Sequence, residues 1–447
     1  MITLAAAEGV LHSLRGGLEH PQLESAAILL CVPVKLRDSE DWRLILREVH
    51  VAPEEAYELR TSTAVTLTPA FGLPLEKKAK LNGWSLVYCH THPAQRGVPC
   101  FSEFDDDAER PLAEYAMSRS PGVPHLALLF GHDALTARRL GTEEEVRVLE
   151  VGTNIEVFRD PSGSPPLDAG FDRQIRAFGD LGQHRLQQSR VAIVGLGGTG
   201  SVVAQQLAHL GIRDYILVDR DQIEATNLNR TVGANPDDIG KAKVAVAERM
   251  IRAIKRDARV LSLCADVVDQ GVGRRIASAD FAFCCTDSHA SRHLLNQLSY
   301  QHLVPMIDLG VAIDARASVQ FAGHVKALAP GLACLWCIGN LDPNQVRLET
   351  LNEAQRRADP YFIDQNAVPQ PAVISLNSTV ASLAVTMFLS MVSGIPSPAR
   401  YLIYDGNRAR VNAVSCSADS HCHFCSSEST ALGADAFPLP ERRHVQG

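Results

Sequence analysis

Four residues within "YCHTHPAQRGVPCFSEFDDD", positions 88–107, have types and a spacing that suit metal chemistry. Side chains alternate faces along a strand, so His90 and His92 project to one side, about two rises of roughly 3.3 Å apart, and can share one ion. Pro93 ends the strand, and Ser102 and Asp105 then fall on successive turns of a helix start, where Asp105 supplies a third ligand. Three protein ligands with a fourth position left for water form the catalytic arrangement of zinc, which lowers the pKa of its water to about 7 and polarises a carbonyl. Asp106 and Asp107 read as a solvated charge run, and Cys100 as incidental.

The order H-x-H-P, serine, two residues, aspartate resembles the JAMM/MPN family of zinc isopeptidases, which remove ubiquitin-like proteins. The resemblance implies that Glu24, directly before the apolar strand of "LESAAILL", is the general base. It also implies that Ser102 helps hold the tetrahedral intermediate. The loop from His92 to Ser102 is a couple of residues longer than the family's, a difference that touches substrate contacts rather than ligands.

A second group of residues suits phosphate chemistry. "GLGGTG" places Gly195, Gly197, Gly198 and Gly200 between a strand and a helix, where glycines allow a tight turn and helix N–H groups favour an anion. Asp219 ends the next strand in the position that accepts ribose hydroxyls, a pattern an NAD oxidoreductase shares. The following stretch, "VDRDQIEATNLNRTVGANPDDIGKAKV", separates the two readings: Asn227, Arg230 and Lys243 suit a triphosphate attacked at its α-phosphorus, where charge grows, and a nicotinamide site needs none of them. Asp287 in "CCTDSHASR" is a carboxylate at the carboxyl edge of the sheet, where Mg2+ can bridge phosphate oxygens.

With "FDRQIRAFGDLGQHRLQQSRVAIVG" upstream, this cluster resembles the ubiquitin-activating enzyme superfamily, in particular the homodimeric ThiF/MoeB-type adenylyltransferases, over about residues 171–425. The resemblance implies ATP and Mg2+. It assigns nucleotide contacts to the glycine loop, Asp219 and Asp221, the phosphates to Thr226, Asn227, Leu228, Asn229, Arg230 and Lys243, and Mg2+ to Asp287. It also implies that Arg173 reaches the ATP of a partner subunit. The reaction implied is attack of a protein's C-terminal carboxylate on ATP, giving an acyl-adenylate and pyrophosphate.

"CLWC" and "CHFC" supply Cys334, Cys337, Cys422 and Cys425, two C-x-x-C knuckles of a structural zinc site, with Cys416, His421 and His423 as lesser alternatives. Activating enzymes often pass the acyl group to their own cysteine on a crossing loop, yet no cysteine stands between Cys337 and Cys416. Cys284 and Cys285 lie in an apolar strand and read as core.

The elements that must position these groups follow from the rest of the chain. Its 447 residues exceed one core, and two domains are expected: α+β over 1–158, then "RDPSGSPPLDAG" as a linker over 159–170. A Rossmann-like doubly wound parallel sheet follows over 171–430, with a loose tail over 431–447. The net charge of −8 argues against a nucleic-acid surface as the main business. The apolar run 380–394 reads as a buried helix rather than a membrane span, and with no export signal the chain is expected to be cytoplasmic. The expected function is bifunctional: one domain trims or removes a ubiquitin-like protein ending in Gly-Gly, and the other adenylates that terminus. A conjugating enzyme and a second copy of the chain are the implied partners. The alternative is adenylation of a sulfur carrier protein for thiocarboxylate formation.

Overall fold

The structure, a computed structural model, describes residues 1–37, 39–163, 166–315, 318–352, 355, 371–426 and 430–442. The chain divides into two compact units, Met1–Gly163 with Leu432–Phe437, and Ser164–Ala431 with Pro438–Gly447.

Unit 1 begins with β1 (Ile2–Ala7), α1 (Val10–Leu18), β2 (Ala26–Lys35) and β3 (Trp42–Val51). A small hairpin follows, β4 (Tyr57–Arg60) and β5 (Val65–Leu67), then α2 (Pro69–Asn82), β6 (Ser85–Thr91) and α3 (Glu103–Arg119). It closes with β7 (Leu126–Phe130), β8 (Leu135–Arg139), β9 (Arg147–Val151) and β10 (Ile155–Arg159). Eight strands form one mixed sheet in the order β10-β9-β1-β3-β2-β6-β7-β8. The run "AAILLCV" of β2 is apolar without alternation because the strand is central and buried on both faces. Ala27, Leu29 and Cys31 pack with α1, whereas Ile28 and Leu30 pack with α2 and α3.

Unit 2 opens with α4 (Asp172–Gln188), β11 (Arg190–Val194), α5 (Gly198–Leu210), β12 (Asp214–Val218), α6 (Lys243–Ile254) and β13 (Arg259–Leu263). It continues through α7 (Val272–Ile276), β14 (Phe281–Cys284), α8 (His289–His302), β15 (Met306–Asp314), β16 (Gln320–Leu328) and α9 (Pro343–Thr350). Last come α10 (Ile374–Ser393), β17 (Tyr401–Asp405) and β18 (Arg410–Ala413). Strands β13-β12-β11-β14-β15 are parallel and β16-β17-β18 extend the sheet antiparallel, a Rossmann-like order with the strand sequence reversing beside β11. Helix α10 is long and apolar enough in composition to cross a membrane, but half of it is buried here against α4, α5, β15 and β16. Its Phe388 meets Phe281 and Phe283 edge-on, with centroids 4.8 and 5.5 Å away.

Two boundaries differ from the sequence reading. Unit 1 runs past 158 because Arg147 pairs with Asp160 at 3.1 Å and β10 continues through Arg159; linker residues 164 and 165 lie outside the described residues. Of the stretch expected to be a loose tail, residues 431–442 are placed. Ala431 and Ala434 are buried, and Arg442 pairs with Asp269 at 2.9 Å and Asp266 at 3.2 Å. Small side chains and one guanidinium supply contacts that composition alone hides. Residues 443–447 lie outside the described residues.

Replacing Phe388 by alanine is expected to cost about 3–5 kcal/mol, since the ring leaves a cavity against two phenylalanines. Urea unfolding of unit 2 checks this, and an unchanged midpoint contradicts it.

Candidate functional site

His90 stands on β6 between Ala26 of β2 and Leu129 of β7. His92 follows the strand end, and its N–H still donates to Phe130 O at 2.8 Å, so the strand's alternation carries both imidazoles to one face. Their ring centroids are 5.0 Å apart. Asp105 arrives from α3, whose N-cap is Ser102 itself. Asp105 N–H donates to Ser102 Oγ at 3.2 Å, and Ser102 N–H donates to Asp105 Oδ2 at 2.6 Å, a reciprocal cap. The Ser102 hydroxyl donates to the same Oδ2 at 2.8 Å, so it is committed to the helix start.

Asp105 Oδ1 lies 3.1 Å from His90 Nε2, Asp105 Oδ2 lies 3.4 Å from His92 Nε2, and Glu24 Oε1 lies 3.4 Å from the same nitrogen. Glu24, His90 and His92 have ligand atoms within 4.8 Å of one another. His90 Nε2 is buried and, for all its closeness to Asp105, makes no hydrogen bond. Burial opposes the Asp105 charge, yet the two imidazoles and the Ser102 backbone outweigh it and hold this carboxyl far below its usual range. Glu24 is raised by burial, against the pull of His92 and His90. Burial also works against a charged His92, but Asp105 and Glu24 prevail and its pKa rises. The segment bearing Glu24 is pinned by Arg60, which donates from Nε to Glu24 O at 2.9 Å and from Nη2 to Ser25 Oγ at 2.7 Å. No sequence signal ties that hairpin arginine to position 24. Asp106, read from sequence as a solvated charge, binds Arg138 at 2.6 Å, because Arg138 is buried between it and Glu109; Asp107 is exposed.

In unit 2 the glycine loop is built by close approach. Gly195 has φ 90°, and a Cβ there would come within 2.7 Å of Cys285 O. A Cβ on Gly200 would fall 1.8 Å from Gly195 O, and one on Gly198 would fall 2.0 Å from Asn377 Nδ2. The N-cap of α5 is Gly197, with no side-chain cap, which leaves the first helical N–H groups open to an anion. Asp219 is buried, and it accepts Leu196 N–H at 2.6 Å and Asp221 N–H at 2.8 Å. Burial raises its pKa against Lys243 and those two donors. Its carboxylate thus shapes the loop from below.

Other residues of the expected nucleotide site hold one another. Asn227 accepts Glu224 N–H at 3.1 Å, and Thr226 donates to Glu224 Oε2 at 3.2 Å. Arg230 donates to Thr226 O at 2.6 Å and Asn229 Oδ1 at 3.2 Å. Leu228 caps this turn, and Lys243 pairs with Asp221 at 2.8 Å. Asp287 is exposed beside Ser288, the N-cap of α8, and Arg173 is exposed in the first turn of α4. Sequence reasoning missed Asn377 and a buried group in which Asp308 binds Arg292 Nε at 3.0 Å and His324 Nε2 at 2.8 Å. Burial pushes Asp308 up, but Arg292 and His324 hold it below its ordinary value. Its members come from three separate elements, and only Arg292 stands in a quoted motif.

The two knuckles meet. Sγ atoms of Cys334 and Cys337 are 3.7 Å apart, Cys334 and Cys422 3.6 Å, and Cys337 and Cys425 3.6 Å. Asp419 N–H donates to Cys337 Sγ at 3.4 Å, while Trp336 stacks on Phe424 at 5.6 Å, so both knuckles share an aromatic floor. His421 and His423 are exposed, and Cys416 stands apart from the four.

Gly200→Ala forces the strand-to-helix turn to shift, because its Cβ meets backbone rather than a movable side chain. ATP affinity should fall by roughly tenfold or more, about 1.4 kcal/mol or above, in calorimetric titration. Unchanged affinity would separate the loop from the nucleotide.

Residues 171–425 match the ThiF family. The chain is 32% identical over 160 residues to the SAMP-activating enzyme E1 of Haloferax volcanii, covering 36% of this chain and 57% of that protein. It is 26% identical over 264 residues to the sulfur carrier protein ThiS adenylyltransferase of Escherichia coli, covering 58% of this chain and 92% of that one. Against the molybdopterin-synthase adenylyltransferase of Escherichia coli the identity is 26% over 262 residues, covering 57% and 95%. Among solved structures, Escherichia coli MccB with ATP aligns with a TM-score of 0.47 at 21% identity, over 58% of this chain and 75% of that one. With more than half of its 447 residues matched, the chain belongs to the ThiF family.

Proposed function

We propose that this chain is a bifunctional enzyme acting on the C-terminus of a ubiquitin-like or sulfur carrier protein. Unit 2 adenylates a C-terminal glycine carboxylate with ATP and Mg2+, and unit 1 hydrolyses the amide bond that blocks that terminus. The observation that carries the adenylation reading is the uncapped start of α5 at Gly197 and Gly198, inside a chain of the ThiF family.

The carboxylate attacks the α-phosphorus and pyrophosphate leaves, so two anions must be brought together. The open N–H groups of α5 take up phosphate charge, and Arg230 and Lys243 add cations once they exchange Thr226 O and Asp221 for phosphate oxygens. Asp287 would hold Mg2+, and Arg173 would come from a second copy of the chain. Asp219 keeps the loop in shape beneath the nucleotide.

For unit 1, the buried and unbonded His90 Nε2 beside Asp105 fits a zinc site made with His92. When bound, the metal supplies a Lewis acid for the amide carbonyl and acidifies a water. Glu24, buried and with its pKa raised, is suited to take that proton and return it to the leaving amine. The four cysteines fit a structural zinc: ligands at about 2.3 Å in a tetrahedron sit about 3.8 Å from one another, close to the sulfur separations found here.

A second reading is adenylation of a sulfur carrier for thiocarboxylate formation: with no cysteine between Cys337 and Cys416 to take the acyl group, it passes to an external sulfur donor in this reading and to a partner conjugating protein or a hydroxyl in the first. Part of that crossing stretch, 356–370, lies outside the described residues.

Small β-grasp proteins ending in Gly-Gly are expected to drive ATP–pyrophosphate exchange, and forms with a C-terminal extension only after cleavage. Elemental analysis should find zinc at both sites, with Cys425→Ser losing the structural ion and His92→Ala the other. Exchange without any carrier, or zinc at the cysteines alone, would contradict one half of the proposal each.

A further inference from the structure

The face of β6 that carries His90 carries Tyr88 two residues earlier, and between it and the helices α2 and α3 lies a cavity of about 550 Å3. His90 and Asp105 form part of its wall, with Ile28, Leu67 and Leu112 as apolar lining. Leu73 and Phe104 also line it and are 49% and 52% exposed, so the cavity opens to solvent past an apolar rim.

Besides His90 Nε2, a carboxylate oxygen in this wall lacks a partner. Glu76 of α2 is 9% exposed; its Oε1 accepts the Tyr88 hydroxyl at 3.3 Å, and its Oε2 is buried with no hydrogen-bond partner. The cavity's other carboxylates are engaged, Glu109 by Arg138 and Asp105 by the helix cap and imidazoles. Among the described residues no lysine or arginine lines the cavity, and the neighbouring Lys78 is paired with Glu48. A buried carboxylate oxygen left unpaired loses the hydration it had in water and gains nothing in return, so it calls for a donor.

We propose that this cavity is a substrate subsite and that Glu76 selects a lysine or arginine next to the Gly-Gly pair that bears the scissile bond. This subsite presupposes that unit 1 is the peptidase described above. Tyr88 and His90 are two strand rises apart, roughly 6.6 Å, a span that a lysine or arginine stem covers from a peptide held at His90. The methylenes lie along the apolar wall while the cationic head reaches Glu76. A long side chain with an uncharged end would fill the same volume and leave Oε2 unpaired.

The test uses two series of fluorescein-labelled peptides containing Gly-Gly. One varies the last residue before the glycines and the other the first residue after them, each as lysine, arginine, norleucine or glutamate. Binding is read by fluorescence polarisation on the full-length, zinc-loaded Glu24→Gln protein, so no turnover is involved. At one of the two positions lysine and arginine should bind about tenfold or more tighter than norleucine, and adding Glu76→Gln should erase that preference. Wild-type cleavage should show the same preference in KM. No basic preference at either position, or one that survives Glu76→Gln, overturns the proposal. Glu76→Leu should melt no lower than wild type; a large drop would mark the acid as structural and also overturn it. Peptides that bind through Glu76 yet are never cleaved by the wild type would leave the subsite standing and remove the peptidase reading instead.

Discussion

Asp105 has to satisfy two demands with one carboxylate. Its Oδ2 closes the first turn of α3 through Ser102, while its Oδ1 faces His90 on the neighbouring strand. A capping residue cannot swing freely, because the backbone N–H it satisfies is otherwise orphaned at the helix start. The helix therefore fixes the acid, and β6 fixes the imidazoles, whose spacing comes from strand alternation. Each delivers a side chain whose charge the other stabilises, which is why the Asp105 pKa falls and the His92 pKa rises although burial opposes both. A histidine nitrogen that is buried, close to that acid and not bonded to it is what the arrangement leaves for a ligand.

Unit 2 reaches an anion-binding geometry by another route. There the constraint is steric: the loop can exist only where Gly195 and Gly200 let backbone touch backbone, and Asp219 ties it down from the strand beneath. The result is an uncapped helix start aimed at the crevice where the strand order reverses. The cations that complete it are parked on internal partners, Arg230 on a carbonyl and Lys243 on Asp221. Exchanging those contacts for phosphate oxygens keeps both cations partnered as a nucleotide enters.

Much of this was legible in the sequence where chemistry depends on local spacing. His-x-His on a strand, Ser-x-x-Asp at a helix start, a glycine loop between strand and helix, and two C-x-x-C knuckles each fix geometry within a few residues. The structure brings each of these groups together. What escaped depends on tertiary approach. Glu76 and Tyr88 belong to different elements and meet only because α2 lies over β6. Arg292, Asp308 and His324 come from a helix and two strands, and an aspartate inside an apolar strand gives no sign of its partners. Asn377 touches the glycine loop from a helix that reads as plain core. The tail misled for the opposite reason, since its burial rests on alanines that carry no periodic signal.

Both units must act on one carboxylate if trimming and adenylation form a sequence, and an oxygen isotope can follow that atom. A carrier bearing a C-terminal extension is incubated with the protein, ATP and hydroxylamine in oxygen-18 water, and the AMP released is weighed by mass spectrometry. Cleavage places a water oxygen in the new carboxylate, attack on the α-phosphorus forms a bond through a carboxylate oxygen, and hydroxylamine then displaces AMP by attacking the acyl carbon. Label should therefore appear in AMP from the extended carrier and be absent when a carrier trimmed beforehand in ordinary water is used. Unlabelled AMP from the extended carrier, or equal label from both, would contradict it.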